Sequence, residues 1–187
     1  MSPPPPAGHT AALTRAALLK AAKRQFAANG YAPTGLRDIA AAAGVNVALV
    51  NRYFGSKDEL FRQAVSEQFS VAAFLGGERA DLGFRLAATV LSKTEESSDL
   101  DPLLALLRSV TGEPATSLLR TSLDQQFVAP LAEWLGGPQA QTRAGLVVAH
   151  LMGLAMTRFV IQSPALTHDP ELVLTLSARH LQALIDD

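Results

Sequence analysis

The stretch GVNVALVNRYFGSKDEL, Gly44 to Leu60, decides how this chain is read. It holds a helix-length run, an aromatic pair, a glycine break and then Ser56-Lys57-Asp58-Glu59. Asn46 is placed to cap a short helix over residues 47–54, because its side-chain oxygen can accept an early backbone N–H. Gly55 breaks that helix. Ser56 and Glu59 have the spacing of a capping box, so the next helix is expected from about residue 57 to 75. Upstream, a short helix over residues 36–43 is expected, with Gly35 as N-cap and Asp38 near the positive end. Gly44 permits the tight turn that follows it.

Two short helices joined by Ala43-Gly44-Val45-Asn46 fit a helix-turn-helix, locked by Ile39, Val45 and an apolar residue of the second helix. The same spacing also fits a helical hairpin that is only core. In a helix-turn-helix the second helix lies in the major groove of DNA. Asn46, Asn51, Arg52 and Tyr53 could then hydrogen-bond bases or phosphates, and Val47, Ala48 and Leu49 could touch thymine methyls. Lys57, at the positive start of the following helix, suits a phosphate. Thr34, Gly35 and Arg37 suit the neighbouring backbone.

Working outward, the 187 residues fit one large domain or two small ones, and 48% hydrophobic content is enough for a sizeable core. There is no cysteine, which excludes disulfides and thiolate metal sites and suits a reducing compartment. MSPPPPAGHT lacks the basic and apolar regions of a secretory signal, and no uninterrupted apolar run approaches ~20 residues, so a cytoplasmic protein with no membrane partner is expected. The net charge of −1 hides an asymmetry: residues 1–70 carry +4 and the remainder −5. A basic front suits a polyanion.

The whole chain reads as helical. A first helix is expected over residues 14–28, with Leu18, Leu19, Ala22 and Phe26 on its apolar side and Asn29-Gly30 as its stop. Later helices are expected over residues 81–93, 102–110, 114–127, 138–162 and 170–185, most opened by a proline. Pro130 should end or kink its helix.

The segments Arg15-x-x-Leu18, Phe26-Ala-Ala-Asn-Gly30-Tyr31, Leu36-Arg37-Asp38-Ile39-Ala40, Ala43-Gly44-Val45 and Tyr53-Phe54-Gly55-Ser56-Lys57-Asp58-Glu59-Leu60 together resemble the TetR family of transcriptional regulators, in an actinobacterial-type variant ending in Phe-Gly-Ser-Lys. The resemblance covers about residues 15–61. Gly35 departs from it, where many members carry Thr or Ser, and so does Asn51, where many carry tyrosine. The resemblance implies an all-α protein of about nine helices: a flexible Pro-rich arm (1–13), a three-helix DNA-binding domain with the helix-turn-helix (14–60), and a larger helical ligand-binding and dimerisation domain (61–187). It implies a repressor released from a palindromic operator by a small apolar effector. A transcriptional activator, or a helical small-molecule-binding protein without DNA binding, are the alternatives.

In the rear two thirds, Gly145, Ala149, Gly153 and Thr157 recur every fourth position and form a small-residue stripe beside His150. With Leu172, Leu176 and His180 of the last helix they could form a homodimer interface of four helices, or the stripe could pack within one chain. Phe84, Leu103, Leu107, Leu123, Phe127, Leu131, Trp134, Met152, Met156 and Phe159 could line an effector pocket or be ordinary core. No cofactor, metal site or catalytic constellation is expected: the four histidines have no HExxH or cysteine context, and no nucleophile elbow or phosphate-binding loop appears.

Overall fold

The structure is a computed structural model that describes residues 7–66, 70–92 and 115–187, with side chains over 11–64, 70–92 and 116–187. Among the described residues every regular element is a helix. Helix α1 (Ala7–Asn29) starts well ahead of the expected residue 14. The alanines and leucine between Ala7 and Leu13 are strong helix formers, and they outweigh the prolines before them. Helices α2 (Leu36–Ala42) and α3 (Val47–Phe54) follow, then α4 (Lys57–Ser66). The single helix expected over 57–75 is divided: α4 is described as far as Ser66, the chain is out of helix at residues 70 and 71, and a separate short helix α5 takes Ala72–Leu75.

A 3₁₀ turn (Arg79–Asp81) leads into α6 (Leu82–Leu91). The helix expected at 102–110, with Leu103 and Leu107, lies outside the described residues. Helix α7 (Ala115–Leu123) passes through a π-helical segment (Asp124–Val128) into α8 (Ala129–Leu135). The helix therefore does not end at Pro130, but its regular geometry is interrupted by the π segment just before it. Proline has no N–H to give the carbonyl four residues back. That carbonyl, of Gln126, instead accepts the backbone N–H of Val71 at 3.2 Å, and the widened π turn sits where the ring would otherwise clash. The chain between α4 and α5 is thereby tied to the rear helices.

Helix α9 (Ala140–Ala155) also runs into a π segment (Met156–Val160), and α10 (Pro170–Asp186) closes the fold. Asp169 caps α10 by accepting the N–H of Leu172 at 3.0 Å. The run Ala140–Val160 is 21 residues with mean hydropathy 1.2, long and apolar enough to cross a bilayer by length and composition. The sequence expectation missed it by counting only uninterrupted apolar residues. Here the helix packs against α8, α6 and α10 and buries Val147, Leu151, Leu154 and Ala155.

One continuous core joins front and rear. In front, Phe26, Tyr31 and Phe61 form an aromatic knot, with Phe61 edge-on to both others at centroid distances of 5.0 and 4.9 Å. Helix α4 packs on α1 on one side and on α7 on the other, so it belongs to both halves mechanically. At the rear the closest pairing is α6 against α10. Gly83 makes it possible: a Cβ there would stand 2.6 Å from both the Ala178 carbonyl and the Gln182 backbone nitrogen. Its N–H is held by Gln182 Oε1 at 2.9 Å.

Candidate nucleic-acid interface

The turn between α2 and α3 is built from backbone chemistry alone. Gly44 adopts φ +68°, its N–H donates to the Ala41 carbonyl, and the Val45 N–H donates to the Ala40 carbonyl, each at 3.0 Å. This pair of bonds around a left-handed residue is a Schellman motif, which satisfies the last carbonyls of α2. Asn46 then caps α3, its Oδ1 accepting the Ala48 N–H at 2.8 Å. Gly35 starts α2 in extended geometry, and its N–H donates to Asp38 Oδ2 at 3.2 Å. Ile39 and Val50 are fully buried between the two helices and Phe54 nearly so. The helix pair is thus locked from below and free above.

That locking sorts the predicted contacts. Ala48, Asn51 and Arg52 of α3 are exposed and, at spacings of three and four, share one face. Arg37 on α2 is exposed too. Val47, Leu49 and Tyr53 are partly buried and pack against the core, so only part of each is offered outward. Asn46 is exposed, but its oxygen is committed to the cap, leaving its amide for outside contact. Thr34 corrects the sequence reading. It is 2% exposed, and its hydroxyl donates to the Gly30 carbonyl at 2.7 Å, so it offers nothing to a phosphate. Gly35 brings only backbone.

Lys57 sits at the first turn of α4. Its Nζ donates to the Ala32 carbonyl at 3.2 Å and lies 4.4 Å from the centroid of the Tyr31 ring. Tyr31 in turn donates its hydroxyl to Asp58. Burial holds the Lys57 pKa below the ordinary lysine value, with the Asp58 charge acting in the opposite sense. Burial and the Asp58 hydrogen bond push the Tyr31 phenol up, so it stays protonated as a donor. The role of Tyr31 was missed in the sequence, where it served only as part of the motif. Ser56 caps α4 through the Glu59 N–H at 3.1 Å. The reciprocal half of the expected capping box is absent: the Glu59 carboxylate accepts from Arg62 and Gln63 instead. Arg15 completes this side, donating to Gln63 at 2.5 Å with its guanidinium over the Phe54 ring.

The rear half separates the other predicted sites. On the outward face of α9 and α10, Leu146, Leu172 and Leu176 are about half exposed, and Ala149, Gly153 and His180 are exposed. Gly145, His150 and Thr157 are partly exposed. A Cβ at Gly145 or Gly153 would meet nothing within 4 Å, so the small stripe does not pack inside one chain.

Of the predicted pocket residues, Leu103 and Leu107 lie outside the described residues, and the others divide between core and surface. Phe84 is 54% exposed, because the inward face of α6 is taken by Leu82, Gly83, Leu86, Ala87 and Val90. Leu131 and Phe127 are core, with Leu123, Met152 and Phe159 packed partly buried against it. Met156 is partly buried. Trp134 carries the Arg79 guanidinium 4.8 Å from its ring. A cleft of about 200 Å³ is lined instead by Ala88, Leu91, Ser92, Arg158, Pro170, Glu171 and Leu174. A second, of about 510 Å³, lies where Arg143 holds the ends of α10 and α8 by donating to the Ile185 and Gly136 carbonyls. None of the described pocket candidates lines either of these two clefts. No group of three or more His, Asp or Glu side chains capable of holding a metal occurs among the described residues.

Comparison with known proteins accounts for both halves. Residues 18–64 match the family model "Bacterial regulatory proteins, tetR family", and residues 80–185 match "Tetracyclin repressor-like, C-terminal domain". Over 45 residues the chain is 56% identical to the HTH-type transcriptional repressor Rv3405c of Mycobacterium tuberculosis, covering 24% of each. Over 112 residues it is 36% identical to the HTH-type transcriptional regulatory protein RaaS of the same organism, covering 58% of this chain and 51% of that one. The matched stretches thus span between a quarter and half of these relatives. A TetR-family regulator of known structure from Streptomyces coelicolor is 31% identical with both chains fully covered and a TM-score of 0.62. With the front matched to one half of the family, the rear to the other, and a full-length structural counterpart, the chain belongs to the TetR family of bacterial regulatory proteins.

Proposed function

We propose that the protein is a sequence-specific regulator of transcription that binds double-stranded DNA as a homodimer and acts as a repressor in the cytoplasm. The observation that carries this reading is the exposed face of α3. Ala48, Asn51 and Arg52 stand outward on a helix whose opposite side is fixed by Val50 and Phe54, with Arg37 and Lys57 flanking it. In this reading Asn51 and Arg52 meet bases or phosphates, Ala48 meets a thymine methyl, and Arg37 and Lys57 fix the register on the backbone. The exposed small-residue face of α9 and α10 supports the dimer. Two recognition helices about 34 Å apart, or a multiple, then match a palindromic operator.

A small effector would act by binding the form that does not fit DNA, shifting the population away from the operator. Helix α4 is the coupling element in this reading, because it packs on α1 in front and α7 behind.

The test is binding of the purified protein to DNA from beside its own gene, titrated at several salt concentrations. Affinity for one fragment above competitor DNA, falling linearly in log salt at about −0.9 per phosphate contact, is the expected result. Equal, weak binding to all fragments at every salt concentration would favour a helical small-molecule-binding protein that no longer reads DNA. The buried Thr34 and the bare Gly35, which remove two hydroxyl contacts from the front of α2, are the observation on that side.

A further inference from the structure

A single buried ring meets two opposite charges at the start of α4. Tyr31 is 7% exposed. It stacks on Phe26 at 6.0 Å between centroids and stands edge-on to Phe61 at 4.9 Å. The turn that carries it is fixed as well: the Thr34 hydroxyl donates to the Gly30 carbonyl at 2.7 Å and reaches that of Gln25 at 3.2 Å. Tyr31 takes its two charged neighbours at different places. The ring face receives the Lys57 ammonium, 4.4 Å from the centroid, while the hydroxyl at the rim donates to Asp58 Oδ1.

An ammonium has three N–H donors and no acceptor. For Lys57 the Ala32 carbonyl takes one at 3.2 Å, and the ring face of Tyr31 attracts the charge from a second side. The group remains partly exposed, so a donor is left for a phosphate. A carboxylate one residue along competes for the same charge, and Asp58 does act on Lys57 electrostatically. Its Oδ1 is engaged by the phenol, however, and burial together with that hydrogen bond keeps the phenol protonated as a donor. A carboxylate that loses its donor takes another, and a charged ammonium is a stronger one than a phenol. Phenylalanine at this position would keep the ring and its contact with the cation and remove only the hydroxyl. The hydroxyl is therefore what holds the anion away from the cation.

We propose that Tyr31 is a positioning residue for DNA binding: its hydroxyl diverts the Asp58 carboxylate, so that the Lys57 ammonium, seated on the Tyr31 ring and the Ala32 carbonyl, stays available to a backbone phosphate. This rests on the DNA-binding reading above and assigns the hydroxyl a part in it that the aromatic core does not need.

The experiment uses the full chain and two duplexes, one from beside its own gene and one of unrelated sequence, because a phosphate contact is present on both. Affinity is measured at several salt concentrations for the parent chain, Tyr31→Phe, and Tyr31→Phe combined with Asp58→Asn. Far-ultraviolet circular dichroism and melting temperature check that each variant is folded. Tyr31→Phe should bind both duplexes roughly fivefold more weakly, the size of one charge contact at ~4 Å in water. Its salt slope should be shallower by about 1. Adding Asp58→Asn should restore both the affinity and the slope, since the competing charge is gone. Adding Lys57→Ala to Tyr31→Phe instead should cost little more, because the same contact is already lost. Parent-like binding by folded Tyr31→Phe overturns the inference and leaves the DNA reading standing. Weakened binding that Asp58→Asn does not recover also overturns it, and reduces Tyr31 to a core aromatic. A parent chain with no salt-dependent affinity for either duplex overturns the DNA reading, and this inference with it.

Discussion

The turn at Gly44 and the crossing at Gly83 both need glycine, for opposite reasons. At Gly44 there is empty space around the missing Cβ, and the constraint is a backbone angle of +68°. At Gly83 the backbone is ordinary helix, and the constraint is a neighbouring helix 2.6 Å from where a Cβ would be. The first is a local demand, set by four residues of chain. The second is a demand imposed by residues about a hundred positions away. The two halves of the molecule differ in the same way. The front is a set of caps and turns, and the rear is a set of helix crossings.

Substitution separates the two cases. Gly83→Ala should have the largest effect, because the clash is with backbone on α10 and neither helix can yield by a side-chain rotation. Overpacking typically costs about 1–3 kcal/mol, and this site belongs at the upper end. Urea unfolding checks it; a loss below about 1 kcal/mol would mean that α6 and α10 can slide apart freely. Gly44→Val should cost about 2 kcal/mol through backbone strain alone. Gly44→Asn should recover much of that loss, since asparagine tolerates the left-handed region. Gly83→Asn should recover nothing. Equal behaviour of asparagine at the two positions would break the distinction.

This difference explains what was legible in the sequence. Helix α3 was readable to the residue because its signals are adjacent: Asn46 at one end, Gly55 at the other. The start of α4 at Lys57 was readable from Ser56 for the same reason. Thr34 was misread because its partner is the Gly30 carbonyl, and only the folded turn decides whether a hydroxyl faces in or out. How the chain accommodates Pro130 was not legible, because the partner of the freed Gln126 carbonyl is Val71, more than fifty residues earlier. Phe84 looked like a pocket or core aromatic, yet α6 buries Gly83 beside it to admit α10, and that rotation turns Phe84 outward. The outward face of α9 was legible as a small-residue stripe. Whether it packed within one chain or against another depended on the position of α10.

The front can be probed without disturbing its fold. Lys57→Ala removes an ammonium held by the Ala32 carbonyl and the Tyr31 ring, a contact worth about 0.5–1 kcal/mol at partly exposed sites. Its larger expected effect is on DNA. Affinity should fall by a similar factor for every sequence, and the salt slope should become shallower by about 1. A changed preference among sequences, measured on a panel of operator variants, would assign Lys57 to base reading instead of backbone positioning.

The smallest effect should come from the acid end of the same helix. Hydrogen bonds from Arg62 and Gln63 hold the Glu59 carboxyl down at about 2, against an ordinary value of 4.5. A folded-state value below the unfolded one stabilises the protein above the unfolded value and ceases to do so as pH falls through the folded one. Stability from this group should therefore be constant above pH 4.5 and be lost between there and about pH 2. Both partners are more than a third exposed, at 36% and 37%, so solvent screening keeps the contribution to about 0.5 kcal/mol or less. Glu59→Gln should lower stability slightly at pH 7 and flatten the acid limb of the stability curve in that window. An unchanged acid limb would mean that the Arg62 contact adds nothing. The start of α4 would then rest on Ser56 alone, which is the most local determinant in the front half.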